Sequence, residues 1–366
     1  MESMGLTQTD QFAVFKNKRV FITGHTGFKG SWLSVWLNKL GAEVAGFSLI
    51  PPYSPNLYNL LGDKHLALSH ISDIRNFTSL QKSIEDFQPD FIFHLAAQPL
   101  VRYSYDHPLE TYETNVIGTA NLLESVKYVK KPCITLIITT DKVYQNNEWI
   151  FPYREVDQLG GYDPYSSSKA CAELVVSSYR NSFFHPSKID FHQQRIFSVR
   201  AGNVIGGGDW SLDRLLPDVA RQLQNGNEII IRNPNATRPW QHVLEPISGY
   251  LSLAEIANNE PEKFNEGAWN FGPLPVDNLK VVEIVKMALQ SWGSGKLTIN
   301  ENVAAPHEAG MLSLDISKAL TTLNWKPKMD ASQAVDLTIA WYKKYYKGAD
   351  PLQLMQQDID AYSFMK

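Results

Sequence analysis

Arg19-Val20-Phe21-Ile22-Thr23 runs directly into Gly24-His25-Thr26-Gly27-Phe28-Lys29-Gly30. The first five residues predict a buried strand and the next seven a glycine-rich turn. A helix then opens at Ser31, with Trp32, Leu33, Trp36, Leu37 and Leu40 on an apolar stripe. Glycines spaced Gly-x-x-Gly-x-x-Gly let the backbone turn tightly and come close to a diphosphate. The helix N-terminus adds unpaired N–H groups and a favourable dipole. A glycine triplet alone is weak, because loops are rich in glycine for ordinary reasons. The strand before it and the amphipathic helix after it make this a dinucleotide-binding turn.

The rest of the chain repeats the strand–helix rhythm. Glu43 to Ser48, Leu66 to Ser69, Phe91 to Leu95, Ile134 to Thr139 and Ile196 to Arg200 read as strands. Asn76 to Gln88, Thr111 to Val129 and Tyr165 to Phe183 read as helices. Strands that are continuous apolar runs between amphipathic helices predict an α/β fold, a Rossmann-type doubly wound, mostly parallel sheet covered on both faces. The rhythm changes after about residue 203. Gly206-Gly207-Gly208-Asp209-Trp210 reads as a loop, and shorter elements follow, including Ile229-Ile230-Ile231 and helices near Val281 to Trp292 and Ala331 to Tyr346. The organisation expected is a nucleotide-binding domain over residues 14–203 and a smaller, mostly substrate-binding C-terminal lobe over 204–350. Parts of the later chain return to the first domain, and the lobe packs where open α/β sheets bind their ligands.

With 366 residues the chain is long enough for a substantial core, and a net charge of −4 argues against a nucleic-acid surface. Cys133 and Cys171 are too few for a disulfide framework. No basic-then-apolar leader and no apolar run of about 20 residues are present, which predicts a cytoplasmic protein. None of the nine histidines forms a metal-spaced cluster, so no metal is expected, and His94 reads as a satisfied interior histidine.

Two further signals carry chemistry. Thr139-Thr140-Asp141-Lys142 follows the fifth strand, and Tyr165-Ser166-Ser167-Ser168-Lys169 opens the next helix. Tyr165 and Lys169 lie one turn apart on one face. A nearby ammonium stabilises a phenolate and lowers the tyrosine pKa from about 10, which makes Tyr165 a base near neutral pH.

Together these residues resemble an extended short-chain dehydrogenase/reductase of the branch that modifies nucleotide-sugars. The glycine turn, His94-Leu95-Ala96-Ala97, Thr140 and Tyr165-x-x-x-Lys169 carry the resemblance, from about Lys18 to Lys347. Asp141 after Thr140 is similar to the sugar-nucleotide 4,6-dehydratases. His94 to Arg102, Arg238 to Pro246, Thr140 to Tyr144 and Gly207 to Trp210 look most like the group acting on CDP-glucose. The resemblance implies a fixed set of steps. Tyr165 takes the C4 hydroxyl proton while hydride leaves C4 to NAD, Lys169 lowers its pKa and holds the nicotinamide ribose, and Thr140 bonds the C4 oxygen. Asp141, protonated, gives its proton to the departing C6 oxygen, and the hydride returns to C6. Relatives acting on dTDP-glucose carry a glutamate after this aspartate as the C5 base. Here Lys142 stands there, either as a base of depressed pKa or as a cation that stabilises the enolate while another group takes the proton.

For NAD, the resemblance and the local reading together name Gly24, Thr26, Gly27, Phe28, Lys29 and Gly30 in the turn. Ser48 stands where an acid usually binds the ribose, Asp73 and Ile74 flank the adenine, and Leu95, Ala96, Ala97, Gln98, Thr114 and Thr139 line the cavity. Lys29 either approaches the diphosphate or is a solvated loop lysine. For the nucleotide-sugar, Ser104, Asn203, Arg214, Arg232, Arg238, Gln241, His242 and His307 are the candidates, Arg238 as a fork for phosphate. The helices from Thr111 and Tyr165 carry mixed faces (Val116, Thr119, Ala120, Leu123; Cys171, Leu174, Val175, Ser178) that family resemblance makes a dimer seam, as a homodimer or a dimer of dimers. The resemblance also implies dideoxy-sugar supply for the lipopolysaccharide O-antigen or a similar bacterial surface polysaccharide. The rivals are a sugar-nucleotide 4-epimerase, a 4,6-dehydratase for another nucleotide, and a noncatalytic dinucleotide-binding regulator. Asp141-Lys142 argues against the first and the intact tyrosine–lysine pair against the last.

Overall fold

In this computed structural model the described residues are 11–211, 214–231, 233–260, 264, 267–300 and 311–365. The centre is a seven-stranded sheet built from β1 (Arg19–Thr23), β2 (Glu43–Ser48), β3 (Leu68–Ile71), β4 (Phe91–His94), β5 (Cys133–Ile138), β6 (Gln194–Ala201) and a last edge strand, Ala268–Phe271. Its order is edge strand–β6–β5–β4–β1–β2–β3, and every pairing is parallel. The apolar runs explain this, since β4 and β5 are buried along their whole length, as strands with helices on both faces must be. β3 falls two residues later than expected. It has one neighbour, leaves Leu68 and Ile71 exposed, and so carries little periodic signal.

Helix α1 (Phe28–Lys39) begins three residues earlier than expected, because Gly27 takes an extended conformation and serves as its N-cap. Instead of one apolar stripe, every residue from Gly30 to Leu37 is buried. The cause lies far along the chain. The helix Pro351–Phe364 packs on its outer side, with Tyr362 edge-on to Trp36 at 5.7 Å and Asp360 bonded to Lys39. The helix Leu244–Asn259 completes this face, so one apolar cluster joins Phe15, Trp36, Leu136, Tyr250 and Tyr362. Buried Glu245 ties these parts together. It accepts the N–H groups of Lys328 and Met329 at 2.9 and 2.8 Å and the Tyr362 hydroxyl at 2.7 Å, and burial pushes its carboxyl up to about 7.

The opposite face is a second cluster containing Phe21, Phe47, Leu80, Leu122 and Ile137. The helix expected over Thr111 to Val129 starts at Pro108, passes through one π turn at Glu113–Ile117 and ends at Val126. Helices at Val281–Trp292 and Ala331–Tyr346 stand as expected. With Leu215–Gln224 and Ile229–Ile231 they enclose a third core of Leu216, Ile231, Trp240, Ile284 and Val335. No helix of the described residues is long and apolar enough to cross a membrane.

Candidate active site

The strand order reverses between β1 and β4, and the chain leaves their carboxyl ends in opposite directions, which opens a crevice there. Residues leaving β1, β4, β5 and β6 meet around it. At β1, Gly24 has φ +76°, and a Cβ on it would stand 2.7 Å from the Ala96 nitrogen. A Cβ on Gly30 would stand 2.1 Å from the Gly24 carbonyl oxygen. Only glycine lets strand, turn and α1 close this tightly. No side chain caps α1, so its first-turn N–H groups face the crevice without a capping oxygen. The Thr26 hydroxyl donates to the Leu49 carbonyl at 2.6 Å and lies 2.9 Å from Ser48 Oγ, so both residues tie the turn to the end of β2. Gly206 leaves space beside the Phe28 ring.

Lys29 is not a solvated loop lysine. Its ammonium donates to the buried Tyr250 hydroxyl at 3.3 Å, and burial, then the Lys169 and Arg214 charges, hold it down to about 8. Asp73 is gripped by Arg75, whose Nε and terminal nitrogen reach both carboxylate oxygens, and Ile74 is buried against Gly118. Beyond β4, Leu95, Ala96 and Ala97 are half-buried, as is Thr114 in the π turn. Gln98 is a support rather than a free wall group. Its amide donates to Thr111 Oγ1, its oxygen accepts from Leu100, and its backbone N–H donates to Asn115. His94 is interior, as expected. The Thr119 hydroxyl donates to the Asn115 carbonyl, so it accepts from His94 Nε2, and Nδ1 accepts from Thr23 at 2.7 Å. Burial and the Lys169 charge hold it neutral, at about 3.

The reactive cluster forms at the end of β5. Thr140 caps a short 3₁₀ turn, Asp141–Val143, which aims Asp141 inward. Its hydroxyl donates to Asp141 Oδ1 at 2.9 Å and lies beside the Tyr165 phenol. Asp141 is 1% exposed, and burial raises its pKa against the pull of Lys142, Thr140 and Arg238. Its Oδ2 has no partner among the described residues and points where a Cβ on Gly202 would stand, 3.1 Å away. Tyr165 and Lys169 project from the helix Pro164–Ser182, which Asp163 caps through the Ser166 N–H and hydroxyl. Burial pushes the Tyr165 phenol up to about 12. The largest charge opposing this is Arg214, followed by the Thr140 hydroxyl, and not Lys169 as the one-turn spacing suggested. Lys169 donates to the Ile138 carbonyl at 3.1 Å, and burial lowers it to about 8.

Of the substrate candidates, Arg238 lies on the strand Thr237–Pro239 with its charge reaching Asp141, and Arg214 reaches across to the Pro99 carbonyl at 3.2 Å. Asn203 is half-buried, its carbonyl accepting from the Gln241 N–H, and Gln241 keeps a buried Oε1 without a partner among the described residues. Two expectations are corrected. His242 is 0% exposed, edge-on to Trp32, and burial holds it at about 3, because the helices Leu244–Asn259 and Ala331–Tyr346 pack on the strand on which it sits. Ser104 does not face the crevice. Its hydroxyl donates to the Val101 carbonyl and accepts the Tyr165 N–H, so it anchors the start of the Tyr165 helix. Arg232 and His307 lie outside the described residues. Asn115 escaped the sequence reading. It is buried in the π turn and donates to Ser168 Oγ and the Gln98 carbonyl, pinning the β4 loop to the Tyr165 helix. Among the described residues no group of three His, Cys, Asp or Glu side chains is placed to hold a metal ion.

The chain is 49% identical over 348 residues to the CDP-glucose 4,6-dehydratase of Salmonella typhimurium, covering 95% of this chain and 97% of that one. It shares its fold with the dTDP-glucose 4,6-dehydratase of Bacillus anthracis solved in complex with NAD (TM-score 0.74, 22% identity, 92% of this chain and 99% of that one). It shares it equally with the UDP-glucose 4-epimerase of Thermotoga maritima solved with UDP-glucose (TM-score 0.75, 22% identity, 89% and 99%). The model of the GDP-mannose 4,6 dehydratase family matches residues 21–338, which hold the turn, the Thr140–Asp141 corner and the Tyr165 helix alike, and the chain belongs to that family.

Proposed function

We propose that this chain removes water from CDP-glucose to give CDP-4-keto-6-deoxyglucose, with NAD as a cofactor recycled in each turnover. The near-full-length likeness to a CDP-glucose 4,6-dehydratase supports the substrate. One observation carries the reaction type: beside the Tyr165 phenol, the Thr140 hydroxyl donates to the buried carboxyl of Asp141, whose pKa burial raises. An epimerase needs the phenol but has no use for a proton donor beside it.

The turn fits a dinucleotide, since the backbone of Gly24 and Gly30 has no room for side chains and α1 has no capping side chain. Gly24, Thr26, Gly27, Phe28, Lys29 and Gly30 would hold its diphosphate, Ser48, Asp73 and Ile74 its adenosine, and Leu95, Ala96, Ala97, Thr114, Thr139 and Lys169 its nicotinamide end, with Gln98 supporting the loop. Bound there, NAD supplies a hydride acceptor for C4 and gives the hydride back at C6. Tyr165 takes the C4 hydroxyl proton, with the Arg214 charge and the Thr140 hydroxyl opposing the burial that raises its phenol. The ketone formed at C4 acidifies the C5 proton, and Lys142 either takes it or, as a cation, stabilises the enolate while another group takes it; a proton returns to C5 when the hydride reaches C6. Asp141 gives its proton through Oδ2 to the C6 oxygen, which departs as water. Arg238, Asn203 and Gln241, with Arg214, are the groups for the nucleotide diphosphate. Leu109, Ile117 and Leu174 are exposed apolar residues on the two central helices, which supports a homodimer, while Thr119 and Leu123 are used inside the monomer. A cytoplasmic location and a role in the supply of surface-polysaccharide deoxysugars complete the proposal.

The test is incubation with NAD and CDP-, dTDP- or GDP-glucose, then alkali. The ultraviolet absorbance of a 4-keto-6-deoxy sugar should appear with CDP-glucose first. Its absence from all three, or an epimer instead, would overturn the proposal.

A further inference from the structure

Glu173 stands one helical turn beyond Lys169, two beyond Tyr165, and nothing in the reaction above uses it. Its carboxylate is buried and fully engaged. Oε1 accepts from Thr139 Oγ1 at 2.5 Å and Arg200 Nε at 3.0 Å, and Oε2 accepts from Ser198 Oγ at 2.6 Å and the Arg200 terminal nitrogen at 2.8 Å. Both side chains of the Glu173–Arg200 pair are 3% exposed. A buried ion pair adds little net stability compared with apolar side chains of the same size, so packing alone does not account for it.

The pair sits on a seam. Three consecutive residues leaving β5 each meet one residue of the same helix. The Ile138 carbonyl takes Lys169, the Thr139 hydroxyl takes Glu173, and the Thr140 hydroxyl faces Tyr165. Arg200 extends the seam outward. It donates to the Tyr144 hydroxyl at 2.7 Å and the Glu155 carbonyl at 3.1 Å, and Tyr144 donates to Asn270, which holds the Tyr153 and Asp315 carbonyls. The titratable groups around the Lys169 ammonium are Tyr165 and Glu173 on its own helix, Lys29 of α1 and neutral His94 of β4. Glu173 is the anion among them.

We propose that Glu173 is a positioning residue for the dehydration. It keeps the Lys169 ammonium charged inside the protein and, through Thr139, holds Thr140 and Asp141 in line with Tyr165. The proposal rests on the 4,6-dehydratase reading only for the substrate used to measure turnover. Burial lowers the Lys169 pKa and Glu173 raises it. Loss of the carboxylate therefore moves Lys169 deprotonation, and the activity that depends on its charge, to lower pH.

The experiment compares the parent with Glu173→Gln, which keeps the size and an acceptor oxygen but not the charge. In the NAD-free protein, the Lys169 titration read by NMR of ¹³Cε-labelled lysine should fall by about one pH unit. In the holoenzyme the alkaline limb of kcat/KM for CDP-glucose should fall by the same amount, with kcat reduced about tenfold or more and KM changed less than about threefold. Thr139→Val should lower kcat and leave the limb in place. If Glu173→Gln does not fold, Glu173→Gln/Arg200→Gln, which removes both buried charges, carries the same measurements. A folded variant whose Lys169 titration and alkaline limb stay where the parent has them overturns the proposal, whatever its activity. A parent that leaves CDP-glucose untouched overturns the substrate reading instead, and the NMR titration still decides the role of Glu173.

Discussion

Asp141→Asn separates the two halves of the reaction. The side chain is 1% exposed, with Oδ1 held by Thr140 at 2.9 Å and Oδ2 lodged against Gly202. Asparagine has the same shape, so no cavity forms. Burial opposes the charged form of the parent carboxyl, which limits what the fold loses when the charge is removed. The expected stability change is within about 1 kcal/mol, the scale of one altered hydrogen bond. The catalytic change is much larger, because an amide has no proton to give the departing C6 oxygen. Loss of a positioned general acid costs about 10²–10⁴ in rate, or about 3–5 kcal/mol in the barrier. Tyr165 and Thr140 remain, so oxidation at C4 continues and elimination stalls. The assay mixes the variant with NAD and CDP-glucose and follows NADH absorbance beside alkali-revealed product. NADH should build up towards one per active site while product forms at least about a hundredfold more slowly. A variant that makes product within about tenfold of the parent would sink this assignment, as would one that forms no NADH at all. The pH dependence has a fixed sign. Asp141 donates only while protonated, so its contribution is present below its raised pKa and fades above it.

Lys142→Met should slow exchange of the C5 proton with deuterated solvent by about tenfold or more, read by mass spectrometry of the product; full exchange would remove Lys142 from both of its assigned roles. Gly30→Ala places a methyl 2.1 Å from the Gly24 carbonyl oxygen, backbone that cannot swing aside, and should cost about 1–3 kcal/mol in thermal unfolding together with a weaker NAD titration. Glu245→Gln tests the buried carboxyl behind α1. Its folded pKa of about 7 lies above the ordinary 4.5, so the protonated form is favoured by folding and stability is lost as pH rises between those values, by about 3 kcal/mol. Urea unfolding across that window should show the slope in the parent and a shallower one in the variant, Asp358 supplying a remaining slope of the same sign.

Much of this was legible because it is local. The Arg19–Thr23 strand, the glycine spacing and the one-turn separation of Tyr165 and Lys169 are set by neighbours in sequence, and each stands close to where it was expected. What a residue meets across the fold was not legible. The partner of Lys29 is Tyr250, the charge opposing burial at Tyr165 comes from Arg214, and His242 lies edge-on to Trp32. Ser104 and Gln98 sit in stretches that look like binding loops, yet their polar atoms are spent holding the loops in shape. Glu173 did leave a trace, since it repeats the four-residue spacing of Tyr165 and Lys169. That trace needed Arg200, on a different strand, to acquire meaning.

The sandwiching of α1 also bears on how the protein is made. Lys39 and its partner Asp360 are 321 residues apart, so α1 leaves the ribosome long before its cover. At about 5–20 residues per second, that delay is about 15–65 seconds. Throughout it the Trp36 side of the nucleotide-binding helix is greasy, open surface. A polypeptide stopped short of Pro351 would keep that surface for good.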